Sequence, residues 1–403
     1  MEVFFHIEYV IYIIICCLIR YRIKKHRSTF FFIINIFFFF RFFGSEWMIV
    51  NVAYFMIVAF HYFSCIHLNS EKFFSKYWSF FIPVLFLILL TFFPVSWYKH
   101  FSFLLPKIPI SNPVIFFTGF SYMAFRLTSA AIEIKCGRVN KISFIDFMSF
   151  AFFVPTGLIG PINPISNYIS SFNNKMYDFS DILGFILRIL YGSTKILFLG
   201  TIFQKMSFDS FLFDGLPHHY IDLYISGIFF YVYLYINFSG FCDIVIGTSG
   251  LIGIKVSENF ENPLVARNIK EFWNRWHLTL SHFLRDTLFT HVTLLLTRYF
   301  GTKYINHIIS FSILLVFLLI GLWHGTKLNY LLFGLAHAFG MITHHYYTLL
   351  IKKYISKEKI NKYNKSLFIR IISTVITFSY VVFTMILFGN DISKLLNFLI
   401  IIR

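Results

Sequence analysis

The chain has few charged residues for its length. Only 13% of its 403 residues are Asp, Glu, Lys or Arg, whereas a soluble domain usually carries about 25%. Hydrophobic residues make up 58%, and the mean hydropathy is +0.71. No polar stretch is long enough to enclose a core, so we expect no soluble domain. Apolar runs recur from end to end and predict a polytopic membrane protein, with length for roughly ten spans of about 20 residues.

Acidic residues are the scarcer of the two charge signs. The 18 acidic and 35 basic side chains give a net charge of +17. In a soluble protein this excess would indicate nucleic-acid binding. Here the basic residues lie mostly in short loops between apolar runs, for example at residues 20–27, 135–141 and 352–365, which is the positive-inside pattern. We therefore expect cytoplasmic loops that face anionic lipid or an acidic partner, and no nucleic acid.

Cysteine is scarce as well. The five cysteines are scattered and mostly lie in or beside apolar runs. No pair has the spacing of metal ligands, so the sequence predicts neither a metal site nor a disulfide framework.

The apolar runs divide the chain into three parts of one membrane domain. Residues 1–110 are predicted to be scaffold helices, residues 111–350 the catalytic core, and residues 351–403 a basic cytoplasmic loop with C-terminal helices. The predicted spans cover residues 1–18, 30–43, 48–67, 78–95, 113–134, 182–203, 220–238, 308–320, 330–342 and 368–388.

An imidazole stands at membrane depth or at its edge in Gly321-Leu322-Trp323-His324-Gly325. This element separates the apolar runs at residues 308–320 and 330–342. Ionisable groups at that depth are costly and usually functional, and histidine takes and returns a proton near neutral pH. The alternative is a buried histidine that only bonds a neighbouring helix. Asn329 and His337 follow, and His337 could equally be a packed polar residue.

A second element, at residues 268–281, packs charge, indole and imidazole together, with Trp273, Asn274, Arg275, Trp276 and His277 in succession. It is too charged to span lipid and too aromatic for an ordinary loop. Trp prefers the membrane interface, and Arg can snorkel there. We predict a re-entrant or interfacial helix folded into the protein body. An aromatic anchor lying flat on the cytoplasmic face is the alternative.

Three further polar features interrupt apolar stretches. Asp243 ends a run of small polar groups at residues 237–243. Arg126 and Glu133 share a helix face and indicate either a polar helix end or support for a site. The Gly160-to-Pro164 stretch breaks a helix, either as a plain surface turn or as a break covered by protein.

Three motifs together resemble the membrane-bound O-acyltransferase family, in its bacterial polysaccharide-modifying branch, over roughly residues 117–347. They are the turn Glu258-Asn259-Phe260-Glu261-Asn262-Pro263, the block Glu271-Phe272-Trp273-Asn274-Arg275-Trp276-His277 with Arg285-Asp286, and the Trp323-His324-Gly325 element. The resemblance implies an all-α polytopic fold. It implies roughly ten to eleven transmembrane helices, plus re-entrant or interfacial helices, around a central funnel or tunnel.

The resemblance also implies an acyltransferase. It would move a small acyl group, D-alanyl by preference or acetyl, from a cytosolic thioester to a hydroxyl of an extracytoplasmic envelope polymer. His324 would be the base that takes the hydroxyl proton, and His277 would act on the donor side. No cofactor or metal is expected to be bound. Residues expected to support the donor or substrate site are Trp273, Asn274, Arg275, Trp276, Trp323, Asn329, Arg285 and Asp243.

The implied partners lie on both faces of a bacterial cytoplasmic membrane. The donor is an acyl carrier protein with a phosphopantetheine arm, or acetyl-CoA, on the cytoplasmic side. The acceptor is an envelope polysaccharide or a teichoic-acid-like polymer, reached in acetyl systems through an accessory extracytoplasmic protein. The wording of residues 272–277 resembles the D-alanyl members, whereas that of residues 238–243 resembles the acetyl members.

Departures from the family pattern concern donor or acceptor preference, not the reaction class. They are Thr287, Leu328, Ala338 and Asn163. The rival function from another class is a transporter or flippase of an envelope precursor, in which buried His, Arg and Asp would form a path. A purely structural membrane subunit is a third reading, and it would leave the costly histidines and arginines unexplained.

Overall fold

The structure, a computed structural model, describes residues 2–23, 26–43, 48–66, 113–139, 142–157, 159–173, 178–208, 212, 218–325 and 327–401. Within these ranges the regular elements are all helices, which confirms the all-α prediction. The predicted span at residues 78–95 lies outside the described residues.

The α-helices follow the predicted apolar runs closely. In chain order they are α1 (Ile7–Arg22), α2 (Arg27–Phe43), α3 (Met48–Ile66), α4 (Pro113–Lys135), α5 (Phe144–Ala151), α6 (Ile165–Asn173), α7 (Phe179–Thr194), α8 (Thr201–Lys205), α9 (Tyr220–Ile252), α10 (Ile269–Trp273), α11 (Leu278–Leu284), α12 (Thr290–Phe300), α13 (Ile305–His324), α14 (Leu328–Tyr354), α15 (Lys357–Lys365), α16 (Leu367–Gly389) and α17 (Ile392–Ile401). Short π-helical turns at Lys195–Gly200 and Arg285–Phe289 follow α7 and α11.

Four helical stretches among the described residues are long and apolar enough to cross a membrane. They are Ser180–Lys205, Tyr220–Ile252, Thr302–His324 and Leu367–Gly389. All four coincide with predicted spans. The total of ten to eleven spans stays a prediction.

The helix α9 is longer than the sequence indicated. The predicted span ended at residue 238, whereas the helix continues for 33 residues to Ile252. Small polar residues do not break it because their hydroxyls bond back to carbonyls of the same helix. Ser239 donates to the carbonyl of Ile236 (3.3 Å) and Thr248 to that of Ile244 (2.8 Å). In this way a polar side chain is satisfied without leaving the helix.

The chain divides into two compact units. The first comprises Met1–Ser193 and Phe241–Glu258, and the second comprises Thr194–Gly240 and Asn259–Arg403.

In the first unit, the two charges of α4 hold the backbone on either side of the predicted helix break. The Arg126 guanidinium is buried and donates to the carbonyl of Phe150, in the last turn of α5, and to those of Phe153 and Thr156 just after it. The Glu133 carboxylate accepts from the backbone N–H groups of Ile165 (3.2 Å) and Ser166 (3.1 Å), at the start of α6. Each charge thus meets the helix end of opposite polarity. Arg126 and Glu133 therefore stabilise the backbone on both sides of the helix break.

The first unit also contains a buried chain of neutral polar groups. Asn35 accepts from the Tyr12 hydroxyl (2.7 Å) and donates to the Ser149 hydroxyl (3.1 Å). The hydroxyls of Ser149 and Tyr168 are in turn 2.7 Å apart. Buried polar groups are tolerated when they are paired in this way.

In the second unit, α13 and α14 cross at two glycines. A Cβ on Gly334 would lie 2.4 Å from the Phe317 carbonyl oxygen, and one on Gly321 would lie 2.5 Å from that of Tyr330. Only glycine lets two helix backbones approach this closely. The crossing brings the end of α13, which carries His324, against the first turns of α14.

Candidate active site

The aromatic block forms two short helices with a sharp turn between them, where the sequence predicted a single helix. Asn268 caps the first, α10, by accepting from the Glu271 N–H (2.8 Å). His277 stands immediately before α11 with φ 45° and ψ 52°. A positive φ is uncommon for any residue other than glycine and persists only where its surroundings hold it. The turn therefore points to a backbone fixed by specific contacts.

Those contacts come from Asn259, in the turn that the sequence marked as a motif. The Asn259 carbonyl accepts from the Leu278 N–H (2.9 Å). Its side-chain oxygen Oδ1 accepts from the backbone N–H of Thr279 (3.2 Å) and from the Thr279 hydroxyl (2.8 Å). The same oxygen lies 3.1 Å from Nδ1 of His277.

His277 is buried and carries no charge. Its exposed fraction is 5%, and the ring of Phe238 lies edge to face against it, with centroids 4.9 Å apart. Burial, together with the nearby charge of His324, lowers the pKa of His277 to about 3. The ring is therefore neutral at physiological pH. Both imidazoles belong to the second unit.

His324 is the more accessible of the two. It ends α13 and is exposed, although four aromatic rings surround it. Their centroids lie 4.7 to 6.2 Å from that of His324, and they belong to Trp323, Tyr330, Phe333 and Phe388. After it, Gly325 has φ 154°, and a Cβ there would lie 2.8 Å from the Tyr330 ring. An exposed histidine flanked by apolar rings suits a group that must meet a substrate.

Asn329 supports this surrounding wall. It is 3% exposed, and its side-chain amide donates to the Phe388 carbonyl (3.2 Å). Phe388 places its ring edge on His324, at 4.8 Å between centroids. Asn329 of α14 thus acts on His324 indirectly, through Phe388 of α16.

Trp273 is tied to His337. The indole Nε1–H donates to Nδ1 of His337 (3.2 Å), and both side chains are buried. The His337 ring lies nearly parallel to the rings of Phe272 and Phe317, at 6.0 Å between centroids in each case. His337 is therefore a packed polar residue with a specific bond to the aromatic block, which is one of the two readings that the sequence left open.

The remaining residues of the aromatic block are placed differently from one another. Trp276 is 9% exposed and stacks on Phe272 in the core, whereas Asn274 is exposed. Arg275 pairs with Glu271 (2.8 Å), which also pairs with Arg267 (3.2 Å). Partial burial opposes ionisation of Glu271, but its bonds with the two arginines prevail and lower its pKa.

Two further predicted support residues have ion-pair partners of their own. Arg285 is exposed and pairs with its neighbour Asp286 (2.8 Å). Asp243 belongs to the first unit, where it accepts from Arg188 (3.0 Å). Both remaining nitrogens of Arg188 donate to Glu258, each at 2.6 Å. Asp243 thus takes part in an ion-pair network of the first unit.

The sequence did not single out Asn259, Phe238, Phe333 or Phe388 as site residues. A signal existed only for Asn259, which lies inside a motif of the resemblance. The three phenylalanines cannot be selected from the 58 in the chain by sequence alone, because their role depends on tertiary contacts. Within the described ranges no group of three potential metal ligands occurs.

Comparison with known proteins places these features in a family. The family model for the membrane-bound O-acyltransferases matches residues 35–387. A teichoic acid D-alanyltransferase of Streptococcus thermophilus is 29% identical over 69% of this chain and 71% of its own length. That of Bacillus subtilis is 28% identical over 71% of each chain. A peptidoglycan O-acetyltransferase of Helicobacter pylori is 30% identical over 52% of this chain and 39% of its own length.

The matched stretch includes the glycine crossing of α13 and α14, both predicted catalytic histidines and the turn that holds His277. It covers most of the chain, and its relatives are named as acyl or acetyl transferases. On this ground the chain is an acyltransferase and not a transporter, and it belongs to the membrane-bound O-acyltransferase family.

Proposed function

We propose that the protein transfers a D-alanyl group from a cytosolic thioester to a hydroxyl of an extracytoplasmic envelope polymer. The observation that carries the proposal is that a single unit contains both an exposed histidine, His324, and a buried neutral one, His277.

The two environments support different roles in the transfer. His324, the exposed histidine, takes the proton from the acceptor hydroxyl as its oxygen attacks the thioester carbonyl. The C–O bond forms, the C–S bond breaks, and the proton passes to the leaving sulfur to give a thiol. His277, buried and held by Asn259, orients the thioester or the base from the donor side. A positioned base of this kind contributes about 10²–10⁴-fold to the rate.

The comparisons support D-alanyl over acetyl. Both teichoic acid D-alanyltransferases match about seven-tenths of their own length. The peptidoglycan O-acetyltransferase matches over 39%, and a probable alginate O-acetylase of Pseudomonas aeruginosa over 41%, of their lengths. The match with the acetyl relatives is thus confined to a smaller part of those proteins.

Basic surface residues support a donor that arrives from the cytoplasm on an acidic carrier. The lysines of the predicted cytoplasmic loop are exposed on α15 and just before it, namely Lys352, Lys353, Lys357, Lys359, Lys362 and Lys365. Opposite charge steers association. We accordingly place the protein in a bacterial cytoplasmic membrane with this loop inside.

A donor-choice assay tests the proposal. Membrane vesicles containing the protein would receive either a labelled D-alanyl thioester on a phosphopantetheine carrier or labelled acetyl-CoA, and label in polymer would be counted. We expect polymer label from the D-alanyl donor. Label from acetyl-CoA alone would favour the acetyl function of the peptidoglycan and alginate relatives. Label from neither donor would contradict the proposal.

A further inference from the structure

Asn259 has an unusual position for a residue with no assigned role. It is 0% exposed, although it lies in the irregular segment between α9 and α10, where polar side chains normally reach solvent. Its main-chain and side-chain oxygens together accept from Leu278 and Thr279, the first two residues of α11. N–H groups at the start of a helix have no partner within the helix. Asn259 thus caps a helix that begins almost twenty residues further along the chain, and His277 stands at the junction.

The contacts with Thr279 fix which way the Asn259 amide faces. A backbone N–H can only donate, so the side-chain atom that it meets at 3.2 Å is the oxygen Oδ1. The same oxygen meets Nδ1 of His277 at 3.1 Å. An oxygen that accepts can be bonded only by a nitrogen that carries hydrogen. Nδ1 of His277 is therefore the donor. The hydrogen bond made by one ring nitrogen commonly determines which of the two nitrogens carries the proton.

The proton position on His277 follows. A neutral imidazole carries one hydrogen, on one of its two nitrogens. With that hydrogen on Nδ1, the lone pair lies on Nε2. The edge of Phe238 limits rotation of the ring from another side. Asn259 thus determines both the tautomer of His277 and the direction in which its basic nitrogen points.

We infer that Asn259 is a positioning residue for acyl transfer, which acts by presenting Nε2 of His277 as a hydrogen-bond acceptor toward the reacting groups. The inference rests on the proposed function. It predicts that the oxygen of Asn259 matters for turnover and not only for folding. Holding an imidazole in the wrong tautomer can cost about 10⁴ in kcat in a catalytic triad, so the effect is measurable.

Two substitutions of similar size separate the oxygen from the space it fills. Asn259→Leu keeps the volume and removes the acceptor, and we expect kcat to fall by about 10²-fold or more with KM changed little. Asn259→Asp keeps an oxygen for both Nδ1–H and the Thr279 N–H, and we expect it to stay within about tenfold of the wild type. Its carboxylate also favours the imidazolium, so the acidic limb of the kcat–pH profile should move to higher pH. His324 titrates nearby and is unchanged in both variants.

A double-mutant comparison tests whether Asn259 acts through His277. If it does, adding Asn259→Leu to His277→Ala lowers kcat no further than His277→Ala alone, because coupled residues are not additive. If the double variant instead shows the product of the two single fold losses in kcat, the inference is overturned. The inference would also be overturned if His277→Ala were fully active while Asn259→Leu was slow. That result would not contradict the proposed acyl transfer. If the wild type transfers no label, it is the proposed function that fails.

Folding effects are separated by two further measurements. Asn35→Leu removes an equally buried asparagine from the first unit, where it also bonds side chains. We expect it to lower the amount of folded protein, with kcat per folded molecule and the pH profile unchanged. If Asn259→Leu does not accumulate, Asn259→Asp still decides, since an unmoved acidic limb would overturn the inference.

Discussion

At the scale of single residues, three histidines of the second unit differ through their partners. His324 is exposed at the end of α13, among four rings. His277 donates through Nδ1 to Asn259, whereas His337 accepts through Nδ1 from Trp273. The two buried rings therefore carry their hydrogens on opposite nitrogens. The same residue type is thus prepared for different tasks by the groups that bond it.

The bond between Trp273 and His337 gives a stability prediction. His337→Phe keeps an aromatic ring in the stack but leaves the indole N–H without its acceptor, and an unsatisfied buried donor costs about 1–3 kcal/mol. His337→Asn places an oxygen near the position of Nδ1. It loses the aromatic ring, with Cε1 and Nε2, but the only hydrogen-bonding group it loses is Nε2, which has no hydrogen-bond partner among the described residues.

Thermal unfolding of the purified protein in detergent measures the difference. We expect the Phe variant to unfold at a lower temperature than the Asn variant. If the order is reversed, the bond from the indole contributes less to stability than packing of the ring does.

The low pKa of His277 predicts a loss of stability in acid. The residue lies outside the four candidate spans, and burial lowers its pKa from 6.5 to about 3. An unfolded chain takes up this proton below about pH 6.5, whereas the folded one does not, so folding is increasingly opposed as the pH falls from 6.5 toward 3. His277→Gln removes the titrating group, and its unfolding temperature should fall less on acidification than that of the wild type. If the unfolding temperatures of the variant and the wild type fall equally on acidification, His277 is not a buried neutral residue.

Residue types in the sequence select the two histidines that are proposed to be catalytic, but not the residues that contact them. Intramembrane position and the motif wording were enough to select His324 and His277. The sequence gives no sign that Asn259 and Phe238 hold His277, because neither is close to it in the chain. Asp243 was selected for its charge, and its pairing with Arg188 depends on two helices meeting.

At the scale of elements, the crossing of α13 and α14 determines where His324 lies. Each helix approaches the carbonyl of the other through a glycine, at Gly321 and Gly334. Gly334→Ala would place a methyl group 2.4 Å from the Phe317 oxygen, so the helices must separate. Overpacking of this kind costs about 1–3 kcal/mol, and it should also lower acyl transfer by moving Phe333 away from His324.

Gly184 in α7 is the matched control, since a Cβ there meets nothing within 4 Å. Gly184→Ala should leave transfer unchanged and be neutral or stabilising by about 0.5–1 kcal/mol. Unfolding temperature and transfer rate are measured for both variants. Comparable behaviour of the two would show that the close crossing is not needed.

Apolar periodicity predicted the long apolar helices among the described residues but misplaced several boundaries; α14, for example, continues past the predicted end at residue 342 to Tyr354. Two of the misplaced boundaries have a local reason. The helix α9 passes through residues 239–243 because Ser239 bonds within the helix. The aromatic block breaks at His277 because Asn259 holds a left-handed turn there. Hydropathy averages over a window and detects neither effect.

At the scale of the whole molecule, charge asymmetry predicts which loops face the cytoplasm, and Cys136 reports on one of them. Cys136 follows Lys135 at the end of α4 and is the exposed one of the five cysteines. A membrane-impermeant maleimide should label it in inverted vesicles and not in intact cells from which any outer layer has been removed. Cys136→Ser should abolish that signal. Labelling from outside would reverse the proposed orientation.

In the proposed transfer across a membrane, both histidines act on substrates that arrive from opposite sides. The most direct test is the transfer rate of the purified protein in proteoliposomes, with His324→Ala and His277→Ala beside the wild type, at matched amounts of folded protein. We predict that His324→Ala loses about 10²–10⁴-fold, the contribution of a positioned base, and that His277→Ala is also strongly impaired. Transfer by His324→Ala at close to the wild-type rate would contradict the account.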